Sequence, residues 1–327
     1  MTTQSGTHDS QLPRDPASWG ESLGHGVSQI YFQANVWTGI LILAAFVVAD
    51  WRMAVLALLG AIFSTVTAAF FRVPPKDLIA GLHGFCGTLV GAAAYAAMGG
   101  DQWLPYLMAI IGGIICAPIT LGVLWIFTHG PLKPLNLPYT TAPFCITAGI
   151  VYGITINAHV TSAPLTAPES GGIGFLLSIL TNISQVVLVN SALGGALILI
   201  GLFIASWKVG VAAVLGSVIG SLCALAFNES STEIANGLAG YSSVLTAIAM
   251  AAVFLKGVWE PWIMAVVGAA LTALVTLGMH QLPGPIYTWP YILTTWVLLI
   301  LVHITPRLLK VRLQRGGSGH NPEVLTN

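Results

Sequence analysis

Charge is the scarcest property of this sequence. Only 7% of its 327 residues are charged, whereas a soluble globular domain carries about 25%. Nine of the 22 charged residues lie in the first 27 positions or after Thr305, which leaves 13 for the whole middle of the chain. A water-facing surface cannot be built from so few charges. The composition therefore predicts an all-α integral membrane protein and excludes a soluble α/β enzyme or a secreted disulfide scaffold.

Other functional groups are missing as well. No acidic residue lies at the centre of an apolar run, where ion-coupled carriers keep such groups. The net charge is zero, so we expect no nucleic-acid partner. The first 27 residues form a polar tail without an apolar signal-peptide core. Four cysteines lie in apolar stretches without metal-ligand spacing, so we expect reduced thiols and no cofactor or metal: Cys86, Cys116, Cys145 and Cys223.

What the sequence does contain is a series of long apolar runs. A membrane-spanning helix needs roughly 20 apolar residues, and ten such helices fit between Ser28 and Thr305. We expect a further apolar segment, 172–184, to be a re-entrant or interfacial helix. The ten spans are predicted at 29–49, 53–71, 78–98, 103–128, 137–158, 185–205, 209–227, 234–255, 261–279 and 286–305.

The basic residues predict the orientation of these spans. Lys and Arg concentrate in cytoplasmic loops, and ten spans place both termini on the same side. With the basic tail 306–327 in the cytoplasm, ten of the eleven basic residues lie on that side, and Arg52 is the exception. This agreement supports both the number of spans and cytoplasmic termini.

The chain also contains an internal repeat. A shift of 156 residues aligns 28–93 with 184–249 without a gap, with 19 identities in 66 positions. A second shift of 147 aligns Thr141-Ala142-Pro143-Phe144 with Thr288-Trp289-Pro290-Tyr291. Each copy holds five spans, an odd number, so the halves 28–165 and 166–305 are predicted to be inverted. Inverted repeats place their transport site near the membrane midplane between the halves.

Repeat-related polar residues are the first candidates for that site. Gln29 and Gln185 open spans one and six, and an amide near hydrocarbon is costly unless it is paired. Their carbonyl oxygens could accept hydrogen bonds from a polar permeant. Alternatively, each amide could cap a neighbouring helix end or bond between helices.

A second set of candidates is apolar. Phe32 and Leu188 lie three residues beyond the two glutamines, on the same predicted helical face. In the third span of each half, an aromatic and a leucine stand four residues apart. Together these side chains could form the walls of a narrow apolar slot, although ordinary core or lipid-facing packing is the usual reason for such spacing. The six residues are Phe32, Leu188, Phe85, Leu89, Tyr241 and Leu245.

Prolines at matching positions indicate where helices are broken. Pro143 and Pro290 each remove an amide donor and are expected to free the carbonyls of Tyr139 and Ile286. In lipid a freed carbonyl is tolerated where it lines a cavity or finds another partner. We therefore expect broken or half-membrane helices around a central pore, with a plain proline kink as the alternative.

These residues carry a resemblance to a known family. The motif Leu-Pro-x-x-Thr-x-Pro-Phe at 137–144 resembles the signature of bacterial urea transporters, and a degenerate second copy surrounds Thr288. Ser28–Phe32 and Gly81–Phe85 also resemble members of that family. The similarity extends from about Gly26 to Pro306.

The resemblance implies a homotrimer in the bacterial inner membrane, with one passive urea-conducting pore in each protomer. By position, Gln29 and Gln185 would head ladders of hydrogen-bond acceptors, and the six apolar residues above would form the slot walls. Thr141 and Thr288 would contact the permeant near the midpoint. Gln185, Leu188 and Tyr241 depart from the residues that the family pattern suggests at their positions.

Two rival functions remain open at this point. A channel for another small neutral solute, such as ammonia, water or a short amide, would keep the same fold. No paired Asn-Pro-Ala motif of a water channel is present. An integral-membrane enzyme would need a cluster of His, Asp or Glu, whereas the acidic residues of the loops are scattered.

Overall fold

The computed structural model describes residues 16–135, 137–160, 165, 167–305 and 312–313. The tail 306–327 thus lies almost entirely outside the described residues. Within them the chain is overwhelmingly helical, with one two-residue antiparallel pairing between β1 (Leu255–Lys256) and β2 (Arg312–Leu313).

The helices follow one another with short connections. They are α1 (Pro16–Ser28), α2 (Val36–Ala49), α3 (Trp51–Phe70), α4 (Pro75–Ile79), α5 (Phe85–Met98), α6 (Leu104–Thr128), α7 (Ala142–Ile154), α8 (Gly171–Gln185), α9 (Ala192–Ala205), α10 (Trp207–Ala226), α11 (Ser231–Ala235), α12 (Tyr241–Ile248), α13 (Glu260–Met279) and α14 (Trp289–Ile304). Short 3₁₀ turns cover Gln29–Tyr31, Lys133–Leu135 and Ile156–Ala158, and a π-helical turn, Ala249–Phe254, continues α12.

Length and hydropathy identify the helices that can cross a membrane. Within the described residues four qualify alone: α3, α6, α10 and α13. Helix α1 with its 3₁₀ turn and α2 qualify together as a pair bent by 75°. Large apolar side chains such as Phe70 and Trp207 are exposed on the outer surface. The fold is therefore that of a helical integral membrane protein.

Several expected spans are divided rather than continuous. The segments predicted at 29–49, 78–98, 185–205 and 234–255 each contain a break, and the one at 137–158 is α-helical only over Ala142–Ile154. The expected polar tail 1–27 includes most of α1, whose residues Ser22, Gly26 and Val27 are buried. Sequence hydropathy missed this helix because α1 is much less apolar than the helices that follow it.

Positions 156 residues apart adopt the same local geometry. Phe32 and Leu188 both have left-handed backbones, with φ of 61° and 64°. Asp50 and Ser206 occupy the N-cap positions of α3 and α10. Across the two halves, α2 packs on α9, where the Thr38 hydroxyl donates to the Gly201 carbonyl at 2.8 Å.

The glycines of the repeated Gly-Leu-x-Gly sequence have a steric role. Gly81 and Gly237 have φ of +76° and +74°, a conformation that side chains disfavour. A Cβ atom on Gly81 would lie 2.3 Å from the backbone nitrogen of Gly26, and one on Gly237 would lie 2.5 Å from backbone atoms of Thr181. The turn before α5 or α12 therefore passes directly against α1 or α8.

Candidate functional site

The start of α7 and the start of α14 meet at a pair of threonines. Thr141 and Thr288 are the N-cap residues of these helices, and their Oγ1 atoms lie 2.6 Å apart. Neither side chain caps its own helix, so each hydroxyl is available to the other. Cys145 Sγ lies 3.2 Å from Thr288 Oγ1. The structure thus brings together two residues that are 147 positions apart in sequence.

The prolines next to this pair start helices instead of kinking them. Pro143 and Pro290 lie in the first turns of α7 and α14, where a missing N–H costs little. The prediction that they free two carbonyls is wrong: the Tyr139 carbonyl accepts from Ala142 N and the Ile286 carbonyl from Trp289 N, both at 3.2 Å. The half-length helices arise because the chain enters each one through a tight turn.

The two glutamines make matching hydrogen bonds. Gln29 Nε2 donates to the Ala80 carbonyl at 3.0 Å, and Gln185 Nε2 donates to the Asn236 carbonyl at 2.9 Å. Ala80 and Asn236 are the C-cap residues of α4 and α11. Because a carbonyl only accepts, each NH₂ group must face it, and each Oε1 atom is directed elsewhere. The amides therefore cap helix ends, as one expectation held, and keep an oxygen acceptor for another partner.

The six expected wall residues belong to one continuous apolar cluster. Phe32, Phe85, Leu89 and Leu245 are buried within it, while Leu188 and Tyr241 pack against it and are partly exposed. Phe85 and Leu89 lie one turn apart on α5, as do Tyr241 and Leu245 on α12. The ring of Phe32 contacts Phe254 and Tyr291 edge to face, at centroid distances of 5.8 and 6.2 Å.

One detail of the wall prediction is wrong. Phe32 and Leu188 do not continue a helical face from the glutamines, because each adopts the left-handed conformation in the turn that follows. Their amides bond to the carbonyls of Gln29 and Gln185, at 2.9 Å in both cases. The glutamine and the wall residue are therefore held by one tight turn, not by a shared α-helical face.

A cavity of about 480 Å³ opens beside the threonine pair. Four of the ten expected site residues line it: Gln185, Leu188, Tyr241 and Thr288. All four belong to the second half. The other six are nine-tenths or more buried: Gln29, Phe32, Phe85, Leu89, Thr141 and Leu245.

The cavity also includes residues outside the ten expected ones. Among them are Tyr152, Glu233, His280 and Tyr287. Asn190 donates through Nδ2 to Asn236 Oδ1 at 2.6 Å, next to Gln185. A polar residue present in one half alone gives no signal when the two halves are matched. A test for unmatched polar residues at repeat positions would have found Asn236, which aligns with Ala80.

Two carboxyl groups stand near this cavity, in the connection from α10 to α11 and in α11 itself. Glu229 shares a hydrogen bond with Glu233, which raises the pKa of Glu229 to about 7, and partial burial acts in the same direction. Glu233 lines the cavity. An acidic pair thus lies beside the cavity, and Glu229 keeps its proton up to near neutral pH.

Apolar outer helices, two half-length helices meeting at their N-termini and an adjoining cavity with polar and aromatic walls are typical of a membrane channel or transporter. The sequence profile of the family described as "Urea transporter" matches residues 21–303. The chain therefore belongs to the urea transporter family.

Individual relatives agree with this assignment. Urea transporter 1 of Ovis aries is 27% identical over 307 residues, covering 89% of this chain and 79% of the relative. Urea transporter 1 of Rattus norvegicus is 26% identical over 302 residues, and that of Mus musculus is 26% identical over 306, with the same shares covered.

Proposed function

We propose that this protein conducts urea passively across the inner membrane, through a filter centred on Thr141 and Thr288. Urea is flat and neutral, with four N–H donors and one carbonyl, so a selective site needs several oxygen acceptors between apolar walls. The threonine hydroxyls and the Oε1 atoms of Gln29 and Gln185 supply acceptors. The observation that carries the proposal is the 2.6 Å contact between Thr141 and Thr288 at the meeting point of α7 and α14.

The same meeting point opposes cations. Each helix N-terminus carries a positive partial charge equivalent to about half an elementary charge, and the N-termini of α7 and α14 converge at the threonines. A cation there would lose its hydration and face two positive ends, a device that also excludes cations from other pores. A neutral molecule pays neither cost, so flux should follow the urea gradient alone.

We propose that the chain forms two inverted halves with five spans each, ten in total, and assembles as a homotrimer with cytoplasmic termini. Matching contacts at an offset of 156 support the halves. They include the two glutamine caps, the two left-handed turns and the two N-caps at the corners after α2 and α9. The first half then begins with α1 at Pro16, the counterpart of α8, instead of at Ser28. The bias of basic residues supports the orientation.

Purified protein in liposomes tests the transport proposal. Urea efflux should be much faster than from empty liposomes and unchanged when a proton or sodium gradient is imposed. Efflux no faster than from empty liposomes would refute urea transport. Acceleration by either gradient would identify a coupled carrier instead.

The oligomeric state and the permeant are tested separately. Light scattering of the detergent-solubilised protein, corrected for bound detergent, should give three chains of 34.2 kDa. A channel for another small neutral solute would be favoured if urea efflux were slow and water or ammonia flux were not inhibited by urea.

A further inference from the structure

In each half a tyrosine hydroxyl joins the same two segments. One segment is the loop that leads into the half-length helix, and the other is the stretch that begins α5 or α12. In the first half the loop donates: Tyr139 Oη bonds to the Leu82 carbonyl at 2.8 Å. In the second half the helix donates: Tyr241 Oη bonds to the Tyr287 carbonyl at 2.6 Å.

This reversal follows from two differences in sequence. The counterpart of Tyr241 is Phe85, which has no hydroxyl, and the counterpart of Tyr139 is Ile286. The Phe85 ring instead stacks on Tyr139, with centroids 5.9 Å apart and planes inclined by 26°. Each half therefore has one tyrosine hydrogen bond between the loop and the helix start. The tyrosine belongs to the loop in the first half and to the helix in the second.

The two links also differ in their surroundings. Tyr139 is 2% exposed. Tyr241 is partly exposed and lines the cavity together with Tyr287 and Thr288. The second-half link therefore lies at the surface that a permeant passes, whereas the first-half link is enclosed in the protein.

The hydrogen bond to the Tyr287 carbonyl determines whether the Tyr241 hydroxyl can donate or accept toward the cavity. A phenolic hydroxyl has one proton and oxygen lone pairs. Because the proton is donated to the Tyr287 carbonyl, the oxygen can only accept from a third partner. Tyr287 has φ of 44°, and its own hydroxyl bonds to the Ala148 carbonyl at 3.4 Å, so the acceptor carbonyl belongs to an anchored turn. The direction of the Tyr241 hydroxyl is thereby fixed.

We propose that the Tyr241 hydroxyl is a specificity-determining acceptor for the N–H groups of the permeant, placed in a wall that is hydrocarbon at the matching position of the first half. This inference rests on the proposed function. It places discrimination in the second-half cavity, before the permeant reaches the threonine pair. Permeants with more N–H donors at their edges gain most from this acceptor.

Comparing urea with acetamide measures this effect. Acetamide is planar and similar in size, but a methyl group replaces one amino group, so it has two N–H donors instead of four. The experiment records permeability to both solutes in liposomes containing wild type, Tyr241→Phe or Tyr139→Phe, after subtraction of empty liposomes. Tyr139→Phe is the matched control because it removes the equivalent hydroxyl outside the cavity.

Tyr241→Phe should lower urea permeability about 2- to 10-fold, the effect of one hydrogen bond, and lower acetamide permeability less, so that the urea-to-acetamide ratio falls. Tyr139→Phe should leave the ratio unchanged, whatever it does to stability. An unchanged ratio in Tyr241→Phe, or an equal fall in both variants, would show a purely structural hydroxyl and overturn the inference.

A second variant protects the test against misfolding. If Tyr241→Phe is not recovered as monodisperse protein, Tyr241→Met also lacks the hydroxyl, and its flexible side chain fills irregular space; the same fall in ratio is expected. Wild-type protein that conducts neither solute would refute the proposed function and this inference together. Wild-type conduction with an unchanged ratio in the variants would refute the inference alone.

Discussion

The two halves of this protein share their backbone bends but differ in the side chains around them. Left-handed turns at Phe32 and Leu188 and glycine turns at Gly81 and Gly237 occur at equivalent places with nearly equal φ. The hydrogen bonds near those bends differ, as the two tyrosine links show. Backbone geometry is held by steric limits that few residues satisfy, whereas a hydrogen bond can be made from either partner. The bends therefore tolerate less sequence change than the polar contacts.

The corners between adjacent long helices show the same contrast. In the first half, Asp50 caps α3 at Arg52 N, accepts from the Arg52 guanidinium and accepts from the Tyr95 hydroxyl. Arg52 also pairs with Asp101. In the second half, Ser206 is the N-cap of α10 without a side-chain cap bond. One corner is thus fastened by an ionic network, and its counterpart relies on the surrounding packing.

The largest expected effect tests the shared bends. Gly81→Ala and Gly237→Ala should each prevent recovery of folded protein, because left-handed strain of about 1–2 kcal/mol adds to a clash with backbone that cannot move aside. Size-exclusion profiles and thermal unfolding would measure this. Gly149→Ala is the control, since a Cβ there meets nothing within 4 Å. Normal folding of either turn variant would show that the close approach is not required.

The next effect tests the threonine pair. Thr288→Val should lower urea permeability about 10- to 100-fold, and Thr141→Val about 10-fold. Both losses follow because each variant removes a buried hydrogen bond. After Thr141→Val, the Thr288 hydroxyl still has Cys145 as a partner. After Thr288→Val, Thr141 loses its bond to Thr288.

Liposome efflux measures that difference, and Thr120→Val is its control. The Thr120 hydroxyl bonds within α6 to the Cys116 carbonyl at 2.8 Å, so this variant should conduct urea normally. Equal losses in Thr141→Val and Thr288→Val would contradict the asymmetry that we ascribe to Cys145.

A smaller effect tests the corners. Asp50→Ala should destabilise the protein by about 0.5–2 kcal/mol through loss of the cap, with little more from the partly exposed ion pair. Ser206→Ala should change the unfolding temperature very little. Thermal unfolding in one detergent compares the two variants directly, and equal shifts would remove the distinction between the corners.

The same corner makes a prediction about pH. Hydrogen bonds from the Arg52 guanidinium hold the pKa of Asp50 well below its usual range. A carboxyl with a lowered pKa stabilises the fold above its unfolded pKa, near 4, and loses that effect only as pH falls through the lower folded value. The difference between wild type and Asp50→Ala should therefore be constant from pH 5 to 8.

The smallest effect concerns Glu229 and Glu233, the carboxyl pair beside the cavity. The pKa of Glu229 is raised to about 7 by its hydrogen bond with Glu233. A raised carboxyl pKa favours the folded state at low pH, and this advantage is lost as pH rises through about 7. Unfolding temperature should fall slightly between pH 5 and 7. Glu229→Gln should flatten this dependence of the unfolding temperature on pH, whereas Glu169→Gln should keep it. An unchanged dependence in Glu229→Gln would show that the pKa of Glu229 is not raised.

Much of the fold could be predicted because lipid imposes a strong pattern. Each of the ten expected apolar segments contains a helix, and segment 172–184 corresponds to α8. The breaks at Phe32 and Leu188 could not be predicted, since nothing in the sequence indicates a left-handed phenylalanine or leucine. The α1 helix was missed because its stability comes from contacts such as Ser22 Oγ to the Leu78 carbonyl, at 2.6 Å.

The candidate site divides in a similar way. Matching the halves selected Thr141 and Thr288, which the structure places in contact, and Gln29 and Gln185, which it places in equivalent bonds. Matching could not select His280 or Tyr287. Their place at the cavity depends on how α11, the end of α13 and the loop before α14 come together.

The sequence by itself determined that the chain lies in a membrane, repeats internally and belongs to the urea transporter family. These properties follow from composition and from residue identities at fixed offsets, so they can be read without knowing which residues are in contact. Tertiary structure alone decided which atom of each glutamine is engaged, that the prolines start helices, and which of the two linking tyrosines lines the cavity. Such features depend on distances between residues far apart in the chain, and only packing sets those distances.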